Sequence, residues 1–358
     1  MASKIDYSSL TLNAREAQNV NEAVFSKTFT RPELASIHGL QTDVDMDRFI
    51  PIYGQFGLVG KIDPSSCNVN TSGETIPVAQ KKWEPKLISD RLIHCQKDIS
   101  SLLKLWELSR KAAGTWEEIN NEQVAFINDR LADAVYQSIL RISSFGDTAA
   151  DTIANGGVLA NGTDKAFWTM LDGMWKQIFT DQALGATAKA VRYTISENGE
   201  ATEAAQLALA SGRAYLAMES MLADIDSRVF EGSSKPAFQM SNTMYTNYKN
   251  YLREKSLNFT LDKTTSNLSG LNFDGYPIIV RHDWDRFIKT YENNGTVRNL
   301  PHRIVLADIN NIPIGTSDAE SMSEFTSVYD PITKKHYMDF AYKIDQKVLE
   351  EDQIAVAY

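Results

Sequence analysis

The spacing of hydrophobic and polar positions changes several times along the chain and divides it into segments. Between Asn121 and Ser143, apolar side chains at Val124, Ile127, Leu131, Val135, Ile139 and Ile142 fall at helical spacing. With Glu122 in the first turn and Gly146 as a candidate C-cap, this stretch predicts a long amphipathic helix. A second helix is predicted over Asp164 to Phe179, with Phe167, Trp168, Leu171, Trp175 and Phe179 along one face. A third is predicted over Glu200 to Asp226, alanine-rich in its first half, and shorter ones over Ala14 to Phe25, Ile99 to Lys111 and Thr243 to Glu254. Ser241 or Asn242 is the expected N-cap of the last of these.

Elsewhere the period is two, or the apolar run is short and bounded by turn residues. Met338, Phe340, Tyr342 and Ile344 alternate with Tyr337, Asp339, Ala341 and Lys343, the mark of a half-buried strand. Facing it across Asp330 to Lys335 is Phe325 to Tyr329, which predicts a hairpin. Pro236 to Met240, Gly275 to Val280 and Arg303 to Asp308 read as strands, and Asn310 to Thr316 as a loop. Residues 48–95 are dense in glycine and proline and read as an extended hairpin, which needs a partner surface. Residues 149–163 and 255–274 read as loops. The last residues, Gln353 to Tyr358, are mostly apolar and require burial, in their own sheet or against a neighbour. Segregated helices and strands without regular βαβ units define an α+β class.

Composition narrows the functional classes. The chain has 358 residues, enough for two domains or one elaborate one, and a net charge of −10. That charge gives no basic footprint for tight nucleic-acid binding by counterion release. Two cysteines, Cys67 and Cys95, fit a reducing compartment, and no run approaches the ~20 apolar residues of a membrane span. The first residues lack the apolar stretch of a signal peptide. Asn70, Asn161, Asn258, Asn267 and Asn294 match the glycosylation pattern, which without a secretion signal is expected by chance.

Candidate chemistry is sparse. Asp43-x-Asp45-x-Asp47 resembles the start of a calcium loop, but Arg48 stands where glycine is needed and Gly54 where a bidentate glutamate is needed. His94-Cys95 has no second cluster at zinc spacing. His282 beside Asp283 could be a base and its orienter, yet no Gly-x-Ser-x-Gly occurs. Glycines at 156, 157 and 162 lack the Lys-Ser/Thr of a phosphate loop. The aromatic stripe of 167–179 has only Lys165 and Lys176 near it, so it reads as core or interface, not a base-stacking platform. No catalytic, cofactor or metal residues are assigned.

Taken in order, the segments resemble a tailed-bacteriophage major capsid protein of the Hong Kong 97 type. The resemblance rests on Ile76 to Pro85 continuing through Arg91 to Cys95, on Glu122 to Asp147, on Pro236 to Ser241 followed by Tyr245, Tyr248 and Leu252, on Leu271 to Val280, and on Leu306 to Asp308 with Ile314 to Thr316 and the final hairpin. It implies an N-terminal arm (1–47), an extended loop (48–95), a peripheral domain with the long helix (96–185), a mainly axial domain (186–325) and closing strands (326–358). It also implies self-assembly into pentamers and hexamers, which form an icosahedral shell around double-stranded DNA. The expected setting is the virion, after assembly in a bacterial cytoplasm without a membrane partner. Scaffold, portal or decoration proteins are further possible partners. Because the chain starts almost directly with the arm at Met1, the scaffold is expected to be separate. An encapsulin-like nanocompartment shell, a surface-layer or tail protein, and an enzyme with an unrecognised site are the alternatives.

Overall fold

The computed structural model describes residues 31–42, 44, 48–53, 78–95, 120–149, 165–231, 236–255, 271–316 and 325–358. It also describes isolated positions at 15, 17, 19, 24, 28, 29, 97, 98, 101, 104, 105 and 108. The short helices predicted over Ala14 to Phe25 and Ile99 to Lys111, the aspartates of 43–47, Cys67 and the glycines of 156–162 lie wholly or largely outside this set.

The centre is a six-stranded sheet, in the order β5 (Val191–Tyr193), β13 (Ala355–Ala357), β9 (Ile304–Asp308), β6 (Pro236–Met240), β8 (Tyr276–Val280) and β7 (Asn272–Phe273). Its middle strands are apolar without alternation because both faces are covered. On β9, Val305 and Ala307 face one hydrophobic core while Ile304 and Leu306 face the other. The first core is closed by α2 (Asn120–Phe145), α3 (Met174–Gln182) and α7 (His282–Tyr291). The second is closed by α5 (Arg213–Asp224) and α6 (Asn242–Glu254). The turn from β7 to β8 runs through Asp274 and Gly275 at φ 51° and 85°, and Asp-Gly is the pair such a hairpin favours.

The C-terminal strand answers the question its apolar sequence posed. β13 lies between β5 and β9 of its own sheet, and Tyr358 packs edge-on against Trp175 and Phe179. The apolar terminus is therefore buried in the chain's own core.

The long helix runs from Asn120 to Phe145, with Leu131, Val135, Ile139 and Ile142 buried. Gly146 ends it for a reason other than a left-handed cap. Its backbone packs against that of Gly173, whose N–H donates to the Gly146 carbonyl at 2.8 Å. A Cβ on Gly173 would stand 2.6 Å from the Ile142 carbonyl oxygen. This contact also explains why the single helix expected over Asp164 to Phe179 is broken. Residues 165–167 form a 3-10 turn, and α3 begins only after Gly173. Of the aromatic stripe expected over 167–179, Trp168 and Trp175 are buried in the core while Phe167 is exposed. The helix expected over Glu200 to Asp226 is likewise two, α4 (Glu203–Leu207) and α5. Gly212 at φ 77°, against the Tyr251 ring, separates them.

Two buried arginines tie the layers together. Arg303, at the start of β9, is fully buried and meets the Glu292 carboxylate at 2.6 Å. The rings of Phe145, Trp175 and Phe179 lie 5.1, 5.0 and 5.6 Å from its guanidinium. Burial pushes the Glu292 carboxyl up against the pull of Arg303, so the pair survives only as a pair. Glu292→Gln leaves a buried guanidinium without its counter-charge and is expected to cost about 3–5 kcal/mol in a urea titration. Gly173→Ala is expected to unfold at clearly lower urea as well, because backbone oxygens occupy the space a Cβ needs.

Candidate assembly surface

The second sheet has β12 (Lys335–Gln346) at its centre. β11 (Phe325–Asp330) and β10 (Ile314–Thr316) pair along one flank, and β1 (Leu40–Gln41) adds in parallel to β10. On the other flank lies β4 (Lys86–Cys95), antiparallel over its whole length from Lys86↔Ile344 to Cys95↔Lys335. Residues 86–95, expected within the extended loop, are thus a strand of this sheet. Their own sequence carries no signal for that partner.

Period-two alternation orients the sheet. His336, Met338, Tyr342 and Ile344 are buried on the inner face, where the Tyr342 hydroxyl donates to Ser138 of α2 at 2.9 Å. The outer face presents Leu87, Arg91 and Ile93 of β4, Tyr337 and Asp339 of β12, and Val328 of β11. Register places Ile93, Tyr337 and Val328 in one row across three strands. Beyond that row, Ile332 stands 90% exposed at the hairpin tip, while Leu87 and Ile93 are 63% and 53% exposed. An exposed apolar row continued by an apolar tip is a candidate docking surface.

Polar groups fix the same face. Arg91 donates from Nε and Nη2 to both carboxylate oxygens of Asp339, at 2.5 and 2.7 Å, and holds that carboxyl below its usual range. The pair edges a shallow groove of about 400 Å³ that also includes Ser89, Thr326 and Ala341.

A separate two-stranded ribbon, β2 (Phe49–Tyr53) with β3 (Val78–Lys82), is anchored at its Trp83 end. Trp83 is fully buried on the face of Gly315, where a Cβ would stand 2.6 Å from its ring. The Trp83 N–H donates to the Arg48 carbonyl at 3.0 Å, and the Glu84 N–H to Asp345 at 2.7 Å. Lys81 bridges to the Val348 carbonyl and the Glu351 carboxylate. The described part of the arm also sits on its own chain. Leu34 and Ile37 of α1 (Pro32–Ile37) are buried, and Arg31 pairs with Asp133 at 2.6 Å.

The residues weighed for chemistry are dispersed. His94 lies on β4 opposite His336, and Cys95 is exposed at the strand end. His282 is exposed at the start of α7, and Asp283 orients no base, since Arg281 occupies both its oxygens at 2.9 and 2.7 Å. Among the described residues no His, Cys, Asp or Glu cluster could hold a metal ion, and no helix is long and apolar enough to cross a membrane. Two parts of this arrangement went unread in the sequence. One is α7, whose Trp284, Phe287, Ile288 and Tyr291 at helical spacing were a usable signal. The other is Arg281, for which no local signal exists.

Comparison with solved structures identifies the architecture. The chain superposes on one from the "Satellite phage P4 procapsid including size determination (Sid) protein" with a TM-score of 0.50, 12% identity, and coverage of 94% of this chain and 97% of that one. It superposes on a chain from Gordonia phage Cozz with a TM-score of 0.50, 9% identity, and coverage of 90% and 85%. No protein-family model matches the chain. No curated protein matches it either. The fold is the Hong Kong 97-type α+β fold that the segment order resembled.

Trp83→Ala is expected to cost about 3–5 kcal/mol in chemical denaturation and to raise hydrogen exchange in β3 more than in β13. Uniform exchange across both strands would show that Trp83 does not anchor the ribbon.

Proposed function

We propose that this chain is the structural subunit of an icosahedral bacteriophage head and is not an enzyme. In this reading it self-assembles into pentamers and hexamers around double-stranded DNA and ends in the virion shell. The observation that carries the proposal is an end-to-end match of fold to a chain of a phage procapsid, covering 94% of this chain and 97% of that one. The division into arm (1–47), extended loop (48–95), peripheral domain (96–185), mainly axial domain (186–325) and closing strands (326–358) belongs to the same reading. So do separate scaffold, portal or decoration partners and assembly in the bacterial cytoplasm.

The physical chemistry agrees. A shell subunit needs a self-sufficient core and outward surfaces that gain contact area only in the assembly. Here the C-terminal strand and the aromatic cluster are buried at home, while Leu87, Ile93 and Ile332 face outward. A net charge of −10 limits adhesion to packaged DNA, whose proximity is then non-specific.

The test is to express the chain and examine it by size-exclusion chromatography and negative-stain microscopy. Closed particles, pentamers or hexamers are expected, whereas a monomer at every concentration and salt tried would overturn the reading. Ile332→Asp combined with Ile93→Asp is expected to leave the denaturation midpoint of the free subunit within about 0.5 kcal/mol of wild type, as for exposed positions, while lowering assembly yield at least about tenfold.

A further inference from the structure

We propose that His38 is an acid-sensitive latch whose protonation releases the segment 31–42, with Leu34 and Ile37, while the central sheet stays paired. His38 stands where α1 ends and the chain turns into β1. Backbone hydrogen bonds flank it on the Ile309 to Ile314 segment. The Gly39 N–H donates to Ile309 at 2.9 Å, and the Ile314 N–H donates to Gly39 at 2.7 Å. The ring between them is 1% exposed. Its Nδ1–H donates to the Ile312 carbonyl at 3.0 Å, and Nε2 has no partner among the described residues. A neutral ring suits that site. A second proton on Nε2 would be a buried donor with nothing to receive it.

None of the surrounding charges reaches Nε2. At the start of α7 stands the Arg281 guanidinium, which repels a second positive charge. Asp283 has both oxygens engaged by that guanidinium. From β6, Gln239 spends its amide on the Ile37 carbonyl and its oxygen on Arg281, and from α2 Ser144 also accepts from Arg281. On the 309–312 side, Asp308 is held by the Asn310 backbone and amide N–H groups. On the arm itself, Arg31 is paired with Asp133, and the Glu33 charge adds to what raises the Tyr136 hydroxyl. Burial first, and then Arg281, push the imidazole down to about 3.

The sign follows from linkage. A base whose pKa is lower in the docked state holds the arm at full strength above its ordinary value of about 6.5, and the arm loosens as pH falls from there toward 3. In that window docking weakens about tenfold per pH unit. The device belongs to one subunit and stands whether or not subunits form a shell.

The experiment is hydrogen exchange by mass spectrometry on the full chain from pH 7.5 to 4.5, with rates divided by their intrinsic chemical values. In wild type, peptides covering 31–42 are expected to lose protection about tenfold per pH unit below about 6.5, while β9 and β13 peptides hold theirs. His38→Gln can still donate to Ile312 but does not titrate, so its profile is expected to be flat. Flat wild-type protection, an equal fall in the variant, or a parallel fall in β9 would each overturn the proposal. Should the variant fail to fold, carbon-detected NMR titration of the wild-type imidazoles decides. A ring neutral down to pH 5 is expected, and a His38 midpoint near 6.5 overturns the latch.

Discussion

One buried guanidinium holds the parts of this chain in register. Arg281 sits between β8 and α7, 1% exposed, and reaches four other places. It donates to Ser144 at the end of the long helix, to Gln239 in the central sheet, and to both oxygens of Asp283. Through the Gln239 amide it also reaches the Ile37 carbonyl at the end of α1. A planar donor with five N–H groups in fixed directions can satisfy so many acceptors only in one arrangement. Helix and sheet must therefore arrive together. An apolar residue in that place would fill volume without selecting the arrangement, which is the sense in which a buried ionic group can favour uniqueness over stability.

The second buried arginine does similar work with different chemistry. Arg303 meets one carboxylate and three aromatic rings, and its Nη1 finds no acceptor among the described residues. Ring faces compensate part of what a hydrogen bond would give. Because Glu292 lies at the end of α7 and the rings belong to α2 and α3, this pair locks the same layer that Arg281 aligns. The two cores are separated by one sheet, so an error in helix placement would misalign β9, which lines both.

A division of labour follows. Residues that look adhesive in sequence, such as the apolar C-terminus and the Trp168–Trp175 stripe, are spent inside the subunit. Among the exposed apolar residues, one row is set by register: Ile93 and Val328 flank Tyr337, and Ile332 caps the hairpin. The described parts of the arm and the ribbon are fastened to the rest of the chain by Gln239, Lys81 and Trp83.

Much of this was legible before any coordinates. The long helix, the strands at 236–240, 276–280 and 304–308, and the hairpin of 325–344 follow from periodicity and turn chemistry, which are local properties. Local pattern could not show that Gly173 breaks a helix by touching Gly146, that Gly212 splits another, or that residues 86–95 pair with 335–344. Each depends on what lies across a gap of many residues. The same holds for Arg281, Arg303 and His38. Sequence marks them only as polar, and burial alone turns them into a clamp, an ion pair and a latch. By itself the chain determined which segments could be helix or strand and how much apolar surface needed hiding. The tertiary structure decided which polar groups were hidden with it, because the cost of a buried charge is set by partners that come from elsewhere in the chain.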